Sequence, residues 1–236
     1  MADKKSSPSK LLSLNEKAIR LIRNTRRYDM AEHILHKALL QAEDDYTNDV
    51  ESKQEIPSGS FSEDITDTIM VGALAPIPQP VYFGDMGTFS LYSNAMTMVE
   101  VPTTGSRRYR EYANNLLYCL LFYNLGLARQ LQGLTQGQDI SLTTALQAYE
   151  TALGLLGDLE RDPFVQTLEL AILNNCGHVH YQLFQTQHVH SCLRLMKNTL
   201  CEITNGWKFD LPEQVSHFST NILMNANHFT RQAPAA

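Results

Sequence analysis

The chain has 236 residues, 43% of them hydrophobic, and a formal net charge of −6. That length can bury a real core, and that composition excludes wholesale disorder. The mild acidity offers no broad cationic surface for nucleic acid, and the densest apolar run, Leu116–Tyr123, is far too short to span a bilayer.

Residues 1–10 read as a polar, disordered tail without the apolar stretch of a secretory signal. Ser7-Pro8 has the form of a proline-directed phosphorylation site, a pattern common by chance. Residues 11–42 read as a first helical hairpin. Ser13 and Glu16 form a capping box, apolar residues from Leu14 to Leu39 recur at helical spacing, and Asn24-Thr25 offers a break. One long helix is the alternative. Basic residues dominate positions 1–40 and acidic ones 41–70, which points to two solvated segments or to complementary charge. Residues 43–64, with Pro57 and Gly59, read as an acidic linker. Residues 65–105 read as a proline-rich insertion. Pro76, Pro78, Pro80 and Pro102 forbid long helices there, and alternation at Phe89, Leu91, Val99 and Val101 predicts a β-hairpin over 87–101.

Residues 106–231 read as helical. Tyr109–Gln132 carries apolar residues on most faces, as a central buried helix does, and Gly133–Gly137 breaks it. Ser141 caps a helix over 142–156 that ends at Gly157. Asp162-Pro163 opens the next, over Phe164–Phe184. A turn at Gln185–Gln187 leads to a helix ending near Ile203, and Asp210 and Pro212 open a last one to His228. Cys119, Cys176, Cys192 and Cys201 match no zinc or redox spacing. They read as reduced core or near-core thiols of a soluble protein of the cytoplasm or nucleus.

One spacing occurs three times: a small or aliphatic residue, a large one four positions on, and a small or apolar one three further. It reads Ala31, Leu35, Ala38; then Ala145, Tyr149, Ala152; then Val189, Leu193, Met196. Antiparallel helices approach closely only where a side chain is small, and a single hairpin cannot bury its own apolar face. The pattern resembles the tetratricopeptide repeat family. Leu125-Gly126 matches that family's leucine-glycine pair, and Gly177 stands twelve residues before Val189, as in the family. Ile19 takes the equivalent place in the first copy. The second copy is lengthened between Gly126 and Ala145, and the closing proline is missing from all three. The segments Tyr123–Leu127 with Leu131–Gly133, and Leu173–His178, also resemble an uncharacterised algal family, which implies no activity. The fold class expected is all-α: tetratricopeptide-like stacked hairpins, a capping C-terminal helix and a small, partly β insertion.

Two polar sets invite function. The first is His178, His180, His188 and His190, flanked by Cys176 and Cys192. Imidazole and thiolate suit zinc or copper, but His-x-His on a helix points its rings about 200° apart, so a shared metal is not expected. His180 is expected to face the region of Leu193 rather than His188. A nucleophilic pair could be assembled from Cys176 and a distant histidine. No nucleophile elbow, phosphate loop or paired-carboxylate signature accompanies it, so enzymatic activity is not expected. Asp162-Pro163-Phe164 resembles a short endocytic adaptor-binding tripeptide, although a helix start explains all three residues. The second set is Asn114, Asn115, Asn124, Asn174, Asn175 and Asn221, a residue type that helix interiors disfavour. These asparagines either satisfy buried backbone groups between helices or line a groove and clamp an extended peptide, as the family resemblance implies.

The function expected is a protein–protein adaptor or scaffold that takes a partner peptide through Asn124, Asn174 and Asn221, with Arg129 meeting a partner carboxylate. No metal, cofactor, nucleic acid or membrane is expected. The alternatives are a structural subunit of a larger assembly, which would expose an apolar patch, and a metal-binding helical protein.

Overall fold

The computed structural model describes residues 8–51, 71–73, 89–98, 107–206 and 213–230. They are predominantly helical, with seven α-helices that pack against one another and one short antiparallel ribbon.

Helix α1 spans Pro8–Arg20 and α2 spans Tyr28–Glu51. Proline is tolerated in a first helical turn, so Pro8 can open α1, and the expected capping pair Ser13 and Glu16 instead lies inside the helix. The expected break at Asn24-Thr25 is present as a wide π turn over Leu21–Thr25, followed by Arg26 at φ 53°. α2 runs on through Glu51, so the start of the acidic tract is helix rather than linker. Residues 52–70 lie outside the described residues, as do residues 1–7, which include Ser7.

The ribbon corrects the β-hairpin expected over 87–101. β2, Met96–Met98, pairs not with the chain just before it but with β1, Val71–Ala73, placing Val71 opposite Met98 and Ala73 opposite Met96. Phe89–Ala95 has neither helix nor strand of its own, and Val99 and Val101 lie outside the described residues.

The remaining helices are α3 (Arg107–Gln136), α4 (Asp139–Leu156), α5 (Pro163–Gln182), α6 (Thr186–Gly206) and α7 (Glu213–Thr230). α3 passes through Gly133, whose bare face meets Leu142 of α4, and turns at Gly137, which takes a left-handed φ of 65°. Gln138 takes the N-cap position of α4, so Ser141 lies in the first turn rather than capping it. The α5 start is as read: Asp162 Oδ1 accepts from the Val165 N–H at 2.8 Å, and its Oδ2 accepts from the Tyr112 hydroxyl at 2.5 Å. Phe184, at φ 58°, turns the chain into α6.

Every helix packs against its neighbours in the chain, and α1, α3, α5 and α7 also meet one another in an inner row. The recurring residues sit on the other row. Ala31, Leu35 and Ala38 of α2, Ala145, Tyr149 and Ala152 of α4, and Val189 and Met196 of α6 are all buried, and Leu193 is half-buried. Alanine admits the close approach between helices, and the large residue one turn on fills the gap. Cys119, Cys176 and Cys192 are buried in this core, whereas Cys201 is exposed on α6. No described helix is long and apolar enough to cross a membrane.

Candidate functional site: an asparagine ladder and its occupant

The inner row carries asparagines one after another, and a single irregular segment of the same chain, Phe89–Met98, lies across them. At the α7 end, Asn221 Oδ1 accepts from the Ser90 N–H at 3.1 Å while its Nδ2 donates to the Ser90 carbonyl at 2.7 Å. Asn174 of α5 donates to that same carbonyl at 3.1 Å. Asn175 repeats the two-point grip on Tyr92, accepting from its N–H at 3.1 Å and donating to its carbonyl at 3.0 Å. Asn124 of α3 repeats it on Met96, at 3.0 and 2.7 Å, and Asn15 of α1 adds a second donor to the Met96 carbonyl at 3.2 Å. Between these, the Tyr123 hydroxyl donates to the Asn94 carbonyl at 2.7 Å. The segment thus meets α7, α5, α3 and α1 in turn.

A side-chain amide offers an acceptor oxygen beside a nitrogen with two donors, so it can meet the N–H and C=O of one residue and still donate elsewhere. Asn124, Asn175 and Asn221 each use both on one residue of the segment, as a neighbouring β-strand would. This explains why asparagine is kept in helices at a cost of roughly 0.5 kcal/mol or more each. Of the two readings of the asparagine set, the satisfaction of buried backbone groups is the one seen, and those groups belong to a segment of the same chain rather than to the helices. The ladder is braced sideways. Asn124 Nδ2 donates to Asn15 Oδ1 at 2.9 Å and Asn221 Nδ2 to Asn174 Oδ1 at 2.6 Å. Behind Asn175 stands a buried relay: Asn175 Nδ2 donates to the Tyr149 hydroxyl at 3.2 Å, which donates to Gln130 Oε1 at 2.7 Å.

The side chains of the segment are seated as firmly. Phe89, Leu91, Tyr92, Ala95, Met96 and Met98 are all buried, while Ser90 is exposed at the α7 end and donates its hydroxyl to Asn221 Oδ1 at 2.7 Å. The Tyr92 ring packs on Phe218 of α7, 4.8 Å between centroids. Phe89 sits on Gly177: a β-carbon there would lie 2.6 Å from the Phe89 ring, so only glycine admits this contact.

Of the residues expected to bind a partner, Asn124, Asn174 and Asn221 therefore converge on the segment, and Arg129 does not. Its guanidinium donates to Glu32 of α2 at 2.9 Å and to the Thr144 carbonyl of α4 at 3.1 Å, so it ties α2, α3 and α4 together and already faces a carboxylate. Sequence reasoning missed Asn15 and Gln130, named Asn175 in the asparagine set without assigning it to partner binding, and did not place the segment along the asparagines. One signal was available: Asn124 and Asn175 both stand two residues before the repeat glycine, Gly126 and Gly177.

The histidine set is dispersed. His178 is buried on Gln130, with Nδ1 3.1 Å from the Gln130 amide nitrogen, and burial lowers it to about 4. His180 does meet His188, contrary to expectation: their rings stack 4.8 Å apart, because the turn at Phe184 is tight enough to bring the first turn of α6 back onto the end of α5. Among the described residues, no three His, Cys, Asp or Glu side chains converge as metal ligands. Burial pushes the Cys176 thiol well above its ordinary range, the wrong direction for a nucleophile. No family model, curated protein or solved structure matches the chain.

Proposed function

We propose that this protein is a protein-interaction adaptor of the tetratricopeptide type, whose inner helical row receives an extended peptide. The observation that carries the reading is the repeated two-point grip of Asn124, Asn175 and Asn221 on backbone N–H and C=O groups. An inner row needed only for helix packing would use apolar residues, since a buried amide without partners costs about 1–3 kcal/mol. A row of amides matched to main-chain groups suits a ligand that is read chiefly as backbone, with pockets such as that over Gly177 adding selectivity. Stacked hairpins support the same reading, because they present such a row along one face.

The test is affinity capture of the tagged chain from its own cell extract at two salt concentrations, comparing the natural sequence with Asn221→Ala. The adaptor reading expects specific partners to be lost from the variant. Partners retained equally by both would remove the groove from the function and favour a structural subunit. That second reading has one observation on its side: Leu223 and Met224 of α7 are 68% and 55% exposed.

A further inference from the structure

The occupant of the ladder is part of the same chain, and this has a consequence for any partner. We propose that Phe89–Met98 is a built-in competitor, and that the partner peptide of this groove carries the same anchors and binds by taking its place. This rests on the peptide-groove reading above and gives it a ligand chemistry: an aromatic residue to cover Gly177, a small hydroxyl residue next to it, a second aromatic two positions further, and an apolar residue four beyond that, as in Phe89, Ser90, Tyr92 and Met96.

Three observations carry the inference. Apart from the Ser90 hydroxyl on Asn221 Oδ1, the ladder contacts main-chain atoms, which any peptide supplies, so most of its hydrogen bonding is not reserved for this segment. The aromatic seats are shaped rather than general. Gly177 leaves room for a ring and nothing between, and Tyr92 lies against Phe218. The fit is also incomplete and open at one end. Ser90 is exposed there, and His217, whose ring is 5.5 Å from that of Tyr92, keeps a buried Nε2 without a hydrogen-bond partner among the described residues. That end lies at α7, where Ser90 is exposed beside Asn221, so an incoming peptide can begin there and displace the segment one asparagine at a time. Met224, one turn from Asn221 and exposed, extends the apolar rim at the point of entry.

A tethered segment competes at an effective concentration on the order of millimolar, so the intact chain should bind a free copy weakly. The experiment uses a fluorescent synthetic peptide with the sequence of residues 87–100, read by anisotropy against the full chain and against Phe89→Ala/Tyr92→Ala. The expected result is at least tenfold tighter binding to the double variant, with the gain abolished by adding Asn175→Ala. A peptide in which both aromatic residues are alanine should bind at least tenfold more weakly. Equal binding of the two peptides would overturn the proposed ligand chemistry and leave the backbone groove standing. Binding of neither peptide to a folded variant would overturn both.

Should the double variant fail to fold, protease sites placed at residues 80 and 103 of the full chain allow the segment to be cut free after folding. Its replacement by an isotopically heavier copy is then followed by mass spectrometry. Exchange at least tenfold faster than global unfolding supports the proposal. Exchange only at the unfolding rate would make the segment a permanent part of the core and overturn it. Exchange between two chains, seen as a concentration-dependent dimer of the uncut protein, would overturn the external partner in favour of a second copy.

Discussion

The second and third helical hairpins use the same glycine for different purposes. In α3 and α4, Gly126 gives room to Tyr149: a β-carbon at Gly126 would lie 2.5 Å from that ring. The hairpin therefore supplies its own aromatic residue. In α5 and α6 the corresponding large residue is Leu193, only half-buried, and the nearest side chains to Gly177 are Phe89 and Cys192. The third hairpin has imported its aromatic from the segment lying across the ladder. One hairpin is closed by local sequence, the other by a contact across more than a third of the chain. The space over Gly177 that the hairpin leaves open is filled by Phe89.

The largest effect expected falls on the self-sufficient hairpin. Tyr149→Ala removes a fully buried ring and the hydroxyl that links Asn175 to Gln130, and should cost about 4 kcal/mol, measured by denaturant unfolding. A loss under about 1 kcal/mol would show that the α3–α4 seam is not packed as described.

Acid should act next, at the joint between the two hairpins. His178 bridges to Gln130, and burial holds it near 4 in the folded chain against about 6.5 when unfolded. Below pH 6.5 the unfolded state takes up a proton that the folded state refuses. Stability is therefore complete above that pH and declines as pH falls toward 4, by roughly 3 kcal/mol in total. His178→Gln should flatten that decline; an unchanged pH profile would place the sensitivity elsewhere.

The comparison itself is tested by paired substitutions. Gly177→Ala should cost about 2 kcal/mol through overpacking against Phe89, and Phe89→Ala in the same chain should cancel most of that cost. Gly126→Ala should cost a similar amount that Phe89→Ala leaves untouched, since its clash is with Tyr149. Additive behaviour in both pairs would break the distinction between the two hairpins. The smallest effect belongs to the surface. Arg161 is half exposed, bonds Glu169 at 2.8 Å and Glu202 at 2.9 Å, and Arg161→Ala should change stability by less than about 1 kcal/mol, less still at high salt.

The apolar seam was legible in the sequence because it is local. Ala31, Leu35 and Ala38, and their counterparts, announce a helix face through spacing alone, and Asp162-Pro163 announces a helix start through the chemistry of its own turn. The end of α3 was placed early because Gly133 and Gly137 carry the same local stop signal; the chain turns at Gly137, at φ 65°, while Gly133 stays helical against Leu142. The candidate site was legible only as an excess of asparagine in helices. Its geometry was hidden, since Ser90 meets Asn221 and Met96 meets Asn15 across more than eighty residues. Of the expected alternation only the exposed Ser90 between buried Phe89 and Leu91 is present; this stretch is held by side-chain amides, and only Met96–Met98 of the segment pairs with a strand, β1.

The central claim is that these amides hold the segment by its backbone, and amide hydrogen exchange measures this directly. The N–H groups of Ser90 and Tyr92 belong to no helix or strand, yet both should exchange slowly, and Asn175→Ala should accelerate Tyr92 well before it affects Ser90. Exchange of Ser90 and Tyr92 at the rate of an open chain in the natural sequence would contradict the account.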